Sequence, residues 1–101
     1  MAAYVDNMQI SWRGKLWCHL VADSLDELHE FAAMLNLPRS WFHRGASYPH
    51  YDVTTEIRIR AIEQGANEVN SRYVLGVAKA LKVQRIATMK KPQNNVQALL
   101  F

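Results

Sequence analysis

The sequence predicts an α/β fold, a small sheet of about four strands, at least partly parallel, packed with about three helices. Three observations predict it. Strand-like and helix-like segments alternate along the chain in the order β-β-α-turn-β-α-β-α, which favours helical crossovers and some parallel pairing. The stretch "DSLDELHEFAAML" opens on Ser24 with Glu27 three positions on, the spacing at which a serine oxygen and a glutamate satisfy free N–H groups at a helix start. At 101 residues the chain can bury one modest core and not two.

The elements follow in order. "AAYVDNMQI" is rich in strand formers with loose alternation, which predicts a strand over residues 3–9. "SWRGK" is a turn supplied by Gly14. "LWCHLVA" predicts a second strand with Trp17, His19 and Val21 on one face and Cys18, Leu20 and Ala22 on the other. After the Ser24 cap, Leu25, Leu28, Phe31 or Ala32, and Leu35 recur at helical spacing, and Asn36 followed by Pro38 marks the stop. "PRSWFHRG" predicts a short helical turn ended by Gly45, and "YPHYDV" a short extended segment, because Pro49 disfavours helix at Tyr48. Thr54 or Thr55 caps "TEIRIRAIEQG", which ends at Gly65. "ANEVN" reads as a short strand, and Ser71 as the cap of a third helix whose apolar stripe is Val74, Val77, Ala78 and Leu81. "VQRIATM" fits either a strand or a continuation of that helix, and "KKPQNNVQALLF" reads as a tail. The expected organisation is a single α/β domain over residues 1–86 and a basic tail with an apolar end over residues 87–101.

The net charge of +3 is unevenly spread: residues 69–101 carry six basic side chains and no acid, leaving −3 on the first 68. A basic last third can meet phosphate, but no ladder of aromatic and basic residues accompanies it, so a solvated helix face is favoured over a nucleic-acid surface. Cys18 is the one cysteine and can form no internal disulfide, which suits a reducing, cytoplasmic setting. No apolar run approaches the roughly 20 residues of a membrane span, and the first residues lack the basic-then-apolar layout of a signal peptide.

An ordered set of short blocks runs from Tyr4 to about Arg72: "YVDNM" at residues 4–8, "HLVAD" at 19–23, "ELHEFAA" at 27–33, "WF" at 41–42, "PHYDVT" at 49–54 and "RAIEQGA" at 60–66. Together they resemble a family of short bacterial and phage proteins known as domain of unknown function 4031. The sequence departs from the family look in its longer tail after Lys82 and in Asn7, where a second acid is common. The resemblance implies a compact intracellular domain and brings no activity with it.

The residues themselves suggest chemistry at one place. Residues two apart in a strand share a face, so His50 and Asp52 point the same way. If the strands are neighbours, Asp6, His19, His50 and Asp52 converge at one sheet end, where open α/β sheets place ligands. Such a set can hold a divalent metal, act as an acid–base pair, or only serve turns and helix entries, as Asp52 does ahead of a threonine cap. No H-E-x-x-H or C-x-x-C spacing is present. Arg58 lies one turn into a helix that starts on threonines, an arrangement suited to an anion. Arg60 reads as solvent-facing, and Trp41 and Phe42 as core, while Tyr48 and Tyr51 fit a core or a pocket wall equally well. Cys18 reads as a small buried apolar residue.

The expectation is therefore a small cytoplasmic domain that binds a small anionic ligand, a nucleotide or phosphorylated metabolite, at a site lined by Asp6, His19, His50, Tyr51, Asp52 and Arg58. The alternatives are a metal-assisted phosphodiester hydrolase or nuclease, and an interaction protein acting through the basic tail on a host protein or nucleic acid. The residues name no catalytic group, metal or cofactor. Val96, Leu99, Leu100 and Phe101 offer a contact to a second copy of the chain, a homodimer through the tail.

Overall fold

The computed structural model describes residues 2–43 and 48–96. Strands β1 (Ala3–Val5), β2 (Ile10–Trp12), β3 (Lys15–Ala22), β4 (Tyr51–Thr54) and β5 (Asn67–Glu68) form a mixed sheet, accompanied by helices α1 (Leu25–Met34), α2 (Thr55–Glu63) and α3 (Ser71–Val96) and a 3-10 turn at Arg39–Trp41. The α/β fold is as the sequence predicts, with one strand more.

That extra strand comes from the first hairpin. The pairs Ile10↔Trp17, Ser11↔Leu16 and Trp12↔Lys15 close on Arg13 and Gly14, whose φ angles of 51° and 75° are both positive. A two-residue turn with two positive φ angles matches the right-handed twist of its strands. β2 is short and exposed, so no apolar alternation announces it.

β3 is the central strand. β1 and β2 lie antiparallel along one of its edges and β4 along the other, while β5 adds to β1 in parallel. Between Val5↔Leu20 and Ile10↔Trp17, five residues advance on one strand against three on the other, so residues 6–9 bulge out of the ladder. Gln9, with φ of 53°, closes the bulge. Bulges re-aim side chains, and this one begins at Asp6.

The two faces of β3 differ as the alternation predicts. Cys18, Leu20 and Ala22 are fully buried with Val5, Tyr51 and Val53, and Leu28 and Ala32 of α1, Leu35 at its end and Ala61 of α2 join the same core. At roughly 25 cal/mol per Å2 of apolar area, a fully buried leucine contributes about 1.5–3 kcal/mol. α1 starts as expected, with Ser24 Oγ accepting from Glu27 N at 3.1 Å, and stops before Asn36, whose φ is 61°. Thr54 caps α2 by accepting from Ile57 N at 3.3 Å, and Gly65 follows at φ 111°. Arg60 is not merely solvent-facing: its Nη2 donates to the Leu35 carbonyl at 3.1 Å, joining α2 to a free carbonyl at the end of α1.

α3 covers part of the opposite face. Its buried Val74, Ala78 and Leu81, with Val77 beside them, are the predicted stripe, and Tyr73 packs on Tyr4 with ring centroids 5.2 Å apart. The cap and the end of this helix differ from the sequence reading, while "VQRIATM" takes the helical of its two readings. The cap is Asn70, whose Oδ1 accepts from Tyr73 N at 2.8 Å, so Ser71 is the first helical residue. The "VQRIATM" stretch continues the helix, which runs on to Val96 through residues read as tail. Gly45 and residues 97–101, with Leu99, Leu100 and Phe101, lie outside the described residues.

Candidate functional site

The sheet register builds a row of polar side chains across three strands. His19 and Asp52 are direct partners on β3 and β4. On the other side of β3, Asp6 N donates to the His19 carbonyl at 3.3 Å, continuing the β1 register into the bulge. Asp6, His19 and Asp52 therefore stand side by side, on the face of β3 that carries Val21 and meets α3.

Asp6 is 1% exposed, so its charge needs partners. Its Oδ1 accepts from His19 N at 2.9 Å and Met8 N at 3.4 Å, and its Oδ2 lies 2.8 Å from His19 Nδ1. Burial pushes the Asp6 carboxyl up, but the hydrogen bonds from the His19 ring and backbone outweigh it, and the group ends below its ordinary range. The same bond to Asp6 raises His19 against the opposing pull of burial.

His50 sits just before β4, where Pro49 keeps the chain extended. Its Nδ1 donates to the Tyr48 carbonyl at 2.8 Å, which turns Nε2 toward Asp52 Oδ1 at 3.3 Å. The other Asp52 oxygen lies 2.9 Å from His43 Nε2, and the His43 and His50 rings stack in parallel with centroids 4.7 Å apart. The His19 and His50 rings meet edge-on at 5.3 Å. Burial raises the Asp52 carboxyl, yet the His50 hydrogen bond and the charges of His43, His50 and His19 leave it lowered. One nitrogen of His19, one of His50 and one Asp52 oxygen lie within 4.8 Å of one another.

The row forms one side of a cleft of about 490 Å3 between α3 and the sheet. Asp6, His19 and His50 line it on the polar side, Val21, Val74 and Ala78 on the apolar side. Tyr48 and the first turn of α3, with Ser71 and Arg72, complete the lining. Lys82 Nζ lies over the Tyr48 ring at 5.4 Å.

Of the six residues singled out in the sequence, four meet here: Asp6, His19, His50 and Asp52. Tyr51 points to the opposite face of β4, where it is 1% exposed and shares a 2.8 Å hydrogen bond with His29 Nδ1. Arg58 reaches the site from behind. Its Nε donates to the Asp6 carbonyl at 2.7 Å and its Nη2 pairs with Glu68 at 3.1 Å, so its head group holds the bulge against β5. Sequence reasoning missed His43 and Arg72. His43 follows the 3-10 turn and meets Asp52 only because its backbone pairs with His50 (His43 N to the His50 carbonyl, 2.9 Å). Arg72 carried one usable signal, its place in the first turn of a long helix.

A family model described as protein of unknown function (DUF4031) matches residues 3–81. The chain belongs to the DUF4031 family. The match takes in every strand, α1, α2 and the first part of α3, and hence the whole Asp6–His19–His50–Asp52 row as this DUF4031 chain presents it. No curated protein and no solved structure matches the chain. Among the described residues, no helix is long and apolar enough to cross a membrane.

Proposed function

We propose that the protein binds a small anionic ligand, a nucleotide or phosphorylated metabolite, in the cleft between α3 and the sheet. The observation that supports this is the lining itself: Asp6, His19 and His50 supply hydrogen-bonding groups, Arg72 a cation, and Val21, Val74, Leu75 and Ala78 apolar surface, around about 490 Å3. Small-molecule sites typically span ~300–1,000 Å3 with a few convergent polar groups. Val21, Val74, Leu75 and Ala78 suit a base or carbon skeleton, with the Tyr48 ring beside them. Arg72, on the first turn of the 26-residue α3, is the cation for the anionic end. Arg58 takes an indirect part, because its donors are already committed to Asp6 and Glu68. Both oxygens of Asp6 and both of Asp52 already face partners, the His19 ring and two backbone N–H groups for Asp6, His43 and His50 for Asp52.

The test is a thermal-shift screen with nucleotides and sugar phosphates, run in chelator so that metal ions play no part. A ligand at a hundred times its Kd stabilises by ~2.7 kcal/mol, which for a domain of this size raises Tm by roughly 10–20 °C. The shift is expected to vanish in Arg72→Ala and His50→Ala and to persist in Arg58→Ala. A panel in which no compound raises Tm at millimolar concentration ends this reading.

A further inference from the structure

We propose that His19, His50 and Asp52 form a mononuclear site for a divalent transition-metal ion of the zinc class, with an open coordination position facing the cleft. This goes beyond the ligand reading and does not depend on it.

The donors are close enough. Zinc bonds to nitrogen and carboxylate oxygen are ~2.0–2.1 Å, so neighbouring ligand atoms of a tetrahedral ion stand roughly 3.3 Å apart. His50 Nε2 and Asp52 Oδ1 already stand 3.3 Å apart. The whole set lies within 4.8 Å, so small side-chain rotations of His19 and its partners close it around an ion.

The donors are also prepared, and this second observation is independent of their distances. An imidazole ligates through one nitrogen only when its other nitrogen holds the proton. His50 Nδ1 must donate to the Tyr48 carbonyl, because a carbonyl only accepts, and His19 Nδ1 donates to the buried Asp6 carboxylate. Both rings are thereby fixed with Nε2 as the remaining donor atom. A ligating histidine almost always has such a carboxylate or carbonyl behind it. Asp6 spends one oxygen on the backbone N–H groups of the bulge and the other on the His19 ring, the place of the carboxylate behind a ligating histidine.

A simple hydrogen-bonded network accounts for less. Among the described residues His19 Nε2 makes no hydrogen bond, although Asp6 aims the ring. A protonated His50 donates from Nε2 to Asp52 Oδ1; with the proton on Nδ1 alone, the two atoms present lone pairs to a cation between them. Their 3.3 Å separation exceeds the ~2.7–2.9 Å of a charge-assisted hydrogen bond. Asp52 is held in turn by His43 at 2.9 Å on its other oxygen.

The donor set selects the ion class. Two imidazoles and one carboxylate suit zinc, and with it iron(II) or manganese(II), whereas calcium and magnesium favour all-oxygen shells. The thiol of Cys18 is buried on the other face of β3 and contributes nothing. Three protein ligands leave at least one position open. His19 and His50 both line the cleft, so that position takes water or an anionic oxygen of a molecule bound there.

The experiment is calorimetric titration of tag-free, chelator-stripped protein with zinc chloride, repeated with manganese(II) and with iron(II) under argon, and with cobalt(II) followed by its visible absorption. One equivalent is expected to bind, with the intense cobalt bands of a low-coordinate site. His50→Ala and Asp52→Asn are expected to weaken binding at least 100-fold, and Asp6→Asn, which touches no metal, by about 10–100-fold. Circular dichroism confirms that each variant is folded. His50 precedes its strand, so His50→Ala is expected to disturb the sheet less than His19→Ala. A folded wild-type protein that binds no equivalent of any of these ions overturns the proposal, as does binding that His50→Ala and Asp52→Asn leave unchanged. Nucleotide shifts that persist in chelator while metal binding fails overturn the metal site alone.

Discussion

Replacing Asp6 by asparagine changes almost no volume and separates the two roles of this residue. Oδ1 serves two backbone N–H groups, from His19 and Met8, and Oδ2 serves the His19 ring. The amide oxygen keeps the backbone pair, which places the NH2 group against His19 Nδ1. Nδ1 must then accept, and the ring proton moves to Nε2, the atom required for the metal. For folding, a charge-assisted hydrogen bond is exchanged for a neutral one, a loss of about 1–2 kcal/mol that is partly offset because an amide is cheaper to bury than a carboxylate. For a chain of this length that lowers Tm by roughly 4–15 °C. For metal, the variant must first give up the wrong proton, and affinity falls about 10–100-fold, or ~1.4–2.7 kcal/mol. The assay pairs thermal unfolding with competition against a chromogenic zinc chelator. Zinc affinity equal to wild type in a folded Asp6→Asn protein would refute the claim that Asp6 sets the His19 tautomer.

Three further outcomes follow from the fold. Burial, and then the Arg39 charge, hold His29 below its ordinary 6.5, so the unfolded chain takes up the proton more readily. The contribution is fully present above pH 6.5 and is lost as pH falls, so the gap in urea midpoint between wild type and His29→Gln should change between pH 7.5 and pH 5.5; an unchanged gap contradicts it. Arg58→Ala removes both ties of the bulge and is expected to cost about 1–3 kcal/mol, and Arg58→Lys should not restore it, because a lysine cannot span Asp6 and Glu68 with one fork of donors; urea denaturation reads both. Leu20→Ala, at a fully buried position of the central strand, should cost about 2–5 kcal/mol in the same assay, and a loss under 1 kcal/mol would mean that the core is not packed as described.

The local features were legible because local rules fix them. The Ser24–Glu27 spacing, the stop at Asn36 and the stripe from Val74 to Leu81 all depend on neighbours within one or two turns. The pairing of His50 with Asp52 was readable for the same reason, since period two places both on one side. The meeting of Asp6 with His19 was expected only on the condition that their strands are neighbours, because the contact depends on strand register and on a two-residue bulge that no apolar pattern marks. Arg58 illustrates the limit most clearly: its helix position suits an anion, but the fold brings the Asp6 carbonyl and Glu68 to it first. The step from Lys82 into residues 83–89 was ambiguous because Val83 and Ile86 are exposed and so continue no buried stripe.

The most direct test of the account is long-range 1H–15N correlation of the histidine rings in labelled, metal-free protein, followed through a zinc titration. The account predicts that the Nδ1 atoms of His19 and His50 remain protonated throughout. Their Nε2 atoms should move together to metal-bound shifts, saturating at one equivalent. Nε2 signals of both rings that stay in place as zinc is added, or a metal on Nδ1 of either, would contradict it.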